Sequence, residues 1–544
     1  MTQISPGIAV KEIDLTLIAP ALATSSAGTV GQFAWGPCEQ VISVRDEANL
    51  IQLFGKPTDL NYADWFSVSS FLSYARDLQV VRAVSASALN ASVVNTLNTA
   101  GAVTGAAGGT GVLVKNRDAY DAITWSSSVN TFVAKAPGAL GNSLRVAWTN
   151  TSGFASWTYK AQFDYAPGTN EYHIIVIDED GLFSGIPGSI LEKWDGLSTV
   201  ATARKYDGST AYFVNAINSG SNYLWVGKAA LFGGTTNGIS FGGGADGSAV
   251  TDGERQTGWA KFVNSDAIDV QYLFVGAAST TTAKWVIDNV AEVRQDLIVF
   301  VSPAQADVVG VAAVATAISN ITTTRGTFGE SSYAVMDSNY KYVYDRYNDT
   351  YRWIPLNGDI AGLYSRNAFD RDPWVPVGGY TKGRIKGAVK LALAQTEATR
   401  DALYVIQANP VFVEVGEGAV LFGDKTLQSR PSAFDRANVR ALFNILKRTV
   451  KRAAKFFLFE FNDVYTQNQF VNVVEPFLRD VKSRRGVTDF VVVCDETNNT
   501  PDVIARNEFV GAIKVRPNYS INFIRLEFTA VGPNVAFDEI VDQS

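Results

Sequence analysis

The 544-residue sequence predicts an α/β protein of several domains, and three observations carry that expectation. A chain of this length exceeds what one core fills, so about three or four cores are expected at roughly 100 to 200 residues each. Toward both ends, short apolar runs alternate with helical spacings, the pattern of α/β layers. Between them, from Ala86 to Gly253, the sequence turns to Gly, Ala, Ser, Thr and Asn with scattered Trp and Tyr, which reads as β-rich inserted structure. A hydrophobic share of 47% with 18% charged residues is that of a packed chain, not a disordered one.

Taken in order, Met1 to Pro20 carries Ile8 and Val10, then Ile13, Leu15 and Leu17, alternating with polar or small residues. That is a strand pattern with a phase slip near Glu12. Pro20 and the following ALATSSAG form a hinge, so 1–25 reads as an arm, and the plainest reading is an edge strand on its own domain. Val30 to Phe33, Val41 to Val44 and Val80 to Val84 read as strands, with a helix from Asp64 to Leu78 and a turn at Phe54-Gly55-Lys56-Pro57. Past the insert the alternation resumes: a strand over Val270 to Val275, a helix around Trp285 to Val293, a strand over Leu297 to Val301. One α/β domain is therefore expected from 26–85 plus 254–400, interrupted by a β-rich insert at 86–253.

The remainder, 401–544, is expected to close the chain as a further α/β unit. Val439, Leu442, Phe443, Leu446, Val450, Ala453, Ala454 and Phe457 recur at three and four, the buried face of a long helix with a wet opposite side. A second amphipathic helix follows with Phe470, Val473, Val474, Phe477, Leu478 and Val481. The unbroken run Phe490 to Cys494 reads as a buried strand, and Ile513 to Val515 as another. Ile524, Leu526 and Phe528 alternate with Arg525 and Glu527, a strand with one polar face.

Catalytic chemistry is poorly provided for. His173 is the only histidine and opens an apolar strand pattern, which excludes multi-histidine metal sites and leaves a structural role as the plain reading. Cys38 and Cys494 are the only cysteines, too far apart in sequence for a CxxC site, and fit a reducing compartment. Asp178 and Asp180 lack the twelve-residue loop of a calcium site and read as an acidic hairpin, and as paired carboxylates neither they nor Asp370 with Asp372 can be told from solvated turns by sequence. Gly418 to Thr426 resembles a phosphate loop but places Asp424 where the lysine belongs. No catalytic, cofactor or metal residues are expected. No leader with a basic region and apolar core is recognisable and no run of about 20 apolar residues occurs, so neither export by the usual signal nor membrane insertion is expected.

A formal charge of −7 argues against a nucleic-acid binder. Yet between Arg430 and Glu460 eight basic residues face two acids. Among them Lys447, Arg448, Lys451, Arg452 and Lys455 share one side of the long helix. A solvated face is the usual explanation, an acidic protein partner the alternative, and nucleic acid a distant third because no aromatic residues interleave with the charges.

The segments SPGIAVKEID, GTVGQFAWGPCEQVISVRDEANLIQLFGKP and FLSYARDLQVVRAV, in that order, resemble the opening of contractile tail sheath proteins, especially those of T-even-type bacteriophages. AEVRQDLIVFVSP, the long stretch from SSYAVMDSNYKYVYDRYNDTYRWIPLNGDIAGLYSRNAFDRDPW onward, and SAFDRANVRALF continue it over most of the chain, and KAPGALGNSLRVAW carries it into the insert. Departures are Ser365-Arg366-Asn367 for the family's Arg-Thr-Asp, and Ala441 where a second arginine often follows Arg440. The resemblance implies a non-enzymatic subunit that polymerises helically around a tail tube and contracts to drive it through the host envelope. It implies a C-terminal polymerisation domain completed by strands from the chain ends, so that Ile8, Val10, Ile13, Leu15, Leu17, Ile524, Leu526, Phe528, Val535 and Phe537 pair between copies. The basic helix is then expected to face the tube, and the insert to lie outside. Partners implied are other copies, the tube protein, and baseplate and terminator proteins, in a virion tail assembled in the host bacterial cytoplasm. The alternatives are the sheath of a bacteriocin or secretion-type injection machine, or, in another class, a virion-associated P-loop-type ATPase or carbohydrate-active enzyme.

Overall fold

The computed structural model describes residues 25–97, 103–125, 130–227 and 234–522. The arm residues Ile8 to Leu17 and the strand residues Ile524, Leu526, Phe528, Val535 and Phe537 lie outside these. Packing divides the chain into two units, with the division between Phe459 and Glu460.

The first unit is organised on a seven-stranded sheet. Its order is Ala408–Asn409, Ala334–Asp337, Ile298–Val301, Tyr272–Phe274, Ala27–Gln32, Leu78–Ala83, Val41–Val44. Every neighbouring pair is parallel except the last. Parallel strands are covered on both faces, which is why Ile298–Val301 is an apolar run with every residue buried. Helices Tyr62–Leu72 and Asn357–Asp370 contribute Trp65, Phe71, Leu363 and Tyr364 to one core, with Phe274 and Phe300 of the sheet. Helices Asp252–Trp259, Thr280–Val286, Val314–Phe328 and Glu397–Val405 contribute Trp259, Val286, Ile321 and Leu403 to the other, with Val299 and Met336. The helix expected over Asp64 to Leu78 stops at Leu72, since Leu78 already pairs with Ala27 in the sheet.

Between strands Leu78–Ala83 and Tyr272–Phe274 the chain builds two four-stranded antiparallel sheets. One runs Leu224–Val226, Asn130–Ala134, Ser92–Leu97, Val103–Gly108; the other runs Thr236–Ser240, Leu144–Thr149, Glu171–Asp178, Ser189–Ser198. Alternating side chains from both, among them Phe132, Val146, Trp148 and Ile174, share one core that also takes in Trp35. The junction is built on buried Arg82, which donates to the carbonyls of Phe33 at 2.9 Å, Gly36 at 2.7 Å and Pro137 at 2.6 Å. Glu254, in the capping box of the helix that resumes the layer, also accepts from the Ala86 amide at 2.5 Å.

The closing unit was expected to start at 401; instead everything to Phe459 packs with the first unit. Ala408–Asn409 is the edge strand of the seven-stranded sheet, and Ala437 and Ala441 of the long helix Ala437–Ala454 sit in its core. The helix also lacks the wet side its spacing suggested over its first three turns: Asn438, Arg440, Ala441, Asn444 and Ile445 are buried along with the apolar stripe. Small and polar residues packed inside are invisible to an apolar count.

The second unit is a helix over a hairpin of distant strands. Asp463 caps the helix Val464–Ser483 by accepting from the Thr466 amide at 2.8 Å, and Phe470, Val474, Leu478 and Val481 are buried. Val487–Val493 pairs antiparallel with Ala512–Pro517, with Phe490 opposite Val515. Gly511 lies so close to the Phe470 ring that a Cβ there would fall 2.7 Å from it. The run Phe490 to Cys494 was expected to be a buried strand, but Val491 is 52% exposed and its neighbours only half-buried. An apolar run records the composition of both faces, not whether the chain's own elements cover them.

Candidate functional site

The expected tube-facing row lies on the last turns of the long helix. Lys447 donates to the Tyr333 hydroxyl at 3.1 Å and the Gln295 carbonyl at 3.4 Å. Arg448 is buried, ion-paired with Asp269, and donates to the Val270 carbonyl at 3.2 Å. Arg452 reaches the same Asp269 at 3.0 Å, and Lys455 reaches Asp266 at 3.0 Å. Lys451 is exposed and acts on Asp266 only through space. The five cations do share one side, but four of them are spent on the 264–270 loop and the end of helix Glu292–Arg294 with its neighbours, so the row is not the free surface that was expected. The signal missed was Asp266 and Asp269, two acids in a loop some 180 residues upstream.

The other candidates resolve into structure. His173 is fully buried on strand Glu171–Asp178, its Nε2 2.8 Å from the Tyr165 carbonyl and its Nδ1 accepting from the Gly196 amide at 3.0 Å. It stacks on Phe163 with ring centres 4.2 Å apart, and burial pushes its pKa below the ordinary value. Asp178 accepts from the Ser143 and Ser184 hydroxyls and from the amides of Leu182, Phe183 and Ser184. A carboxylate wrapped in five donors closes its own hairpin and offers no face to calcium. Gly418–Leu421 is half of a hairpin with Val411–Glu414, after which Asp424 pairs with Arg436 at 2.9 Å and Lys425 donates to the Tyr404 carbonyl at 2.8 Å. Neither group cradles an anion. Among the described residues no group of three or more His, Cys, Asp or Glu is placed to hold a metal ion, and no helix is long and apolar enough to cross a membrane.

Doubly wound sheets hold ligands where the strand order reverses, at the carboxyl ends. Here that point lies between Ala27–Gln32 and Tyr272–Phe274. It is closed by Asp64, which is 4% exposed and accepts from the amides of Gln32 at 2.9 Å and Ala277 at 3.0 Å, and from Arg255 at 2.8 Å. The chain's own carboxylate occupies the position a ligand's anion takes in that architecture.

The hairpin of Val487–Val493 with Ala512–Pro517 has one paired neighbour per strand and a half-exposed apolar face, and the residues expected to be shared between copies lie outside the described residues. Residues 429–530, which contain the hairpin, match the phage tail sheath C-terminal domain. Across the full chain, the tail sheath protein of Vibrio phage KVP40 is 31% identical over 99% of this chain and 100% of its own length. That of Enterobacteria phage T4 is 30% identical over 99% of each. The chain belongs to the tail sheath protein family. Solved folds agree at low identity: a sheath tail protein from Listeria innocua gives a TM-score of 0.57 at 11% identity, covering 92% of this chain and 97% of its own. The sheath complex of an extracellular contractile injection system, in its contracted state, gives 0.53 at 11%, covering 97% and 98%. These sheath proteins share a mixed α/β fold of several sheets with the chain.

Proposed function

We propose that the chain is the subunit of a contractile phage tail sheath, which polymerises helically around a tail tube and shortens to drive that tube through a host envelope. The alignment with phage tail sheath proteins along 99% of the chain carries this reading. No nucleotide is needed: the work is the free-energy difference between two packings of the same subunits. The ligand crevice closed by Asp64 and the single, internally bonded histidine support a non-enzymatic role.

With it we propose a division of labour. Residues 26–85 and 254–459 form the body, 86–253 the outward insert, and the unit from Glu460 the polymerisation module. Its hairpin Val487–Val493 with Ala512–Pro517 has edges left for strands from the chain ends. We assign Ile8, Val10, Ile13, Leu15 and Leu17 of one copy, and Ile524, Leu526, Phe528, Val535 and Phe537, to those places, by strand addition. Twenty residues of arm reach about 65 Å at roughly 3.3 Å each, enough to cross a domain. Lys451, exposed and in no ion pair among the described residues, is the part of the long helix left to meet an acidic tube. Baseplate and terminator proteins would meet the polymer ends in the virion tail, and assembly in the host cytoplasm suits two buried, unpaired cysteines.

Negative-stain microscopy of the purified chain tests the reading. Hollow tubes with helical repeat are expected; a protein that stays monomeric at every concentration and salt, with or without tubes as template, refutes it.

A further inference from the structure

Several surface cations among the described residues are paired: Lys115 holds Glu39, Arg117 holds Asp121, Arg346 holds Glu47 and Arg384 holds Glu417. One place in the first unit gathers four that join no ion pair among the described residues. It lies on the helix Asn357–Asp370 and the loop that follows.

Arg366 donates to the Lys382 carbonyl at 3.0 Å, and its guanidinium lies 5.4 Å from the centre of the Tyr74 ring. Lys386 lies 4.8 Å from the same ring and donates to the Ser73 carbonyl at 2.6 Å. Tyr74 is fixed beneath them, since its hydroxyl donates to buried Asp359 at 3.1 Å and accepts from the Lys386 amide at 2.6 Å. Burial and the charge of Arg371 push the Lys382 ammonium down, while burial and Arg366 do the same to Lys386 against a pull from Asp359. Of the acids that act on these lysines, Asp359 is paired with Lys341 at 2.8 Å and Asp424 with Arg436 at 2.9 Å, while Asp370 and Asp372 flank Arg371 and leave the cluster cationic on balance. Among the described residues, Arg366, Arg371, Lys382 and Lys386 join no ion pair. Phe369, three residues after Arg366 on the same helix, is 78% exposed.

The second unit carries a complement. From Cys494 to Ala505 the sequence holds Asp495, Glu496 and Asp502 and no cation. All three are exposed, and none is in an ion pair among the described residues. The turn is held in shape by Asp495, which accepts from the Thr497 amide at 2.9 Å and hydroxyl at 2.5 Å.

We propose that the cationic cluster over Tyr74 in one copy binds the Asp495–Asp502 loop of a neighbouring copy, an electrostatic contact between subunits separate from any shared strand. It rests on the polymer reading above. Charge complementarity selects the partner: copies with a net charge of −7 repel one another, and a cluster of unpaired cations facing an unpaired acidic loop is where that repulsion reverses. Nucleic acid fits less well, because the Tyr74 ring is buried under the cations and offers no face to a base.

The test is charge reversal with rescue in the full chain. Lys382→Glu with Lys386→Glu should fold normally by circular dichroism, yet raise the concentration needed for polymers about tenfold or more at roughly 0.1 M salt, where exposed charges still act over about 10 Å. Adding Glu496→Lys and Asp502→Lys, which spare the Asp495 turn, should restore polymers because each copy again presents opposite charges. Glu496→Lys with Asp502→Lys alone gives a second measure and should weaken assembly as much. The unaltered chain is the control: if it never polymerises, the sheath reading fails. If it does, unchanged assembly of K382E/K386E across salt, or a loss that E496K/D502K does not repair, overturns the contact. A fall in monomer stability that the rescue repairs would place the pair within one chain and overturn it as well.

Discussion

Replacing Arg82 with Met removes the polar clamp between sheet and insert while keeping much of the side chain's volume. Arg82 is 2% exposed, and its three nitrogens serve the carbonyls of Phe33, Gly36 and Pro137, two from the body and one from the insert. Methionine leaves all three short of a donor, at about 1–3 kcal/mol each. Gly36 lines a cavity of about 340 Å³, so water can reach its carbonyl, and removal of a buried charge returns some desolvation energy. The net loss expected is about 3–5 kcal/mol, most of it local to the junction. Native-state hydrogen exchange reads such openings segment by segment. Amides in strands Asn130–Ala134 and Leu144–Thr149 should lose protection by about 100-fold or more, since about 1.4 kcal/mol is tenfold, while those in Ile298–Val301 change little. A change under tenfold in the insert, or an equal loss throughout the large sheet, would refute the reasoning.

Deleting residues 2–19 should give a folded monomer that builds no tubes; tubes from the truncated chain would sink strand sharing, and an unfolded product would place the arm in its own core. Arg448→Met breaks the pair with Asp269, but Asp269 is 43% exposed and keeps Arg452, so the cost is about 1–2 kcal/mol and a fall in Tm of about 1–3 °C; no fall at any salt would show the pair to be idle. His173 has its pKa held below 6.5 by burial, so the unfolded chain takes up a proton that the native insert resists. Stability from this group is therefore complete above about pH 6.5 and declines as pH falls through that value toward the native pKa. His173→Gln should flatten the pH dependence of Tm between about 7 and 5 relative to the unaltered chain, and identical slopes would refute it.

The sequence by itself determined the local elements and the family. Val41 to Val44 is a strand from its first residue to its last, because β-branched residues between turn formers leave little choice. Gly55 ends the helix Glu47–Phe54 at φ 78°, a conformation glycine adopts freely. The strand position of His173 and the hairpin at Gly418 were also legible, from the apolar runs His173 to Ile177 and Val420 to Phe422.

Only the tertiary structure decided what each face meets. The spacing of Lys447, Arg448, Lys451, Arg452 and Lys455 put them on one side, but whether that side is wet depends on Asp266 and Asp269, which periodicity within one helix cannot register. The same limit hid the boundary after Phe459: apolar spacing says that Val439, Leu442 and Leu446 are covered, not by which unit. The Tyr74 cluster is assembled from a helix, a loop and a ring about 290 to 310 residues apart in sequence, and its lack of counter-ions is a property of distances in space. Local sequence fixes torsions and faces through interactions of a few residues, whereas burial and ion pairing are set by which distant segments the fold brings together.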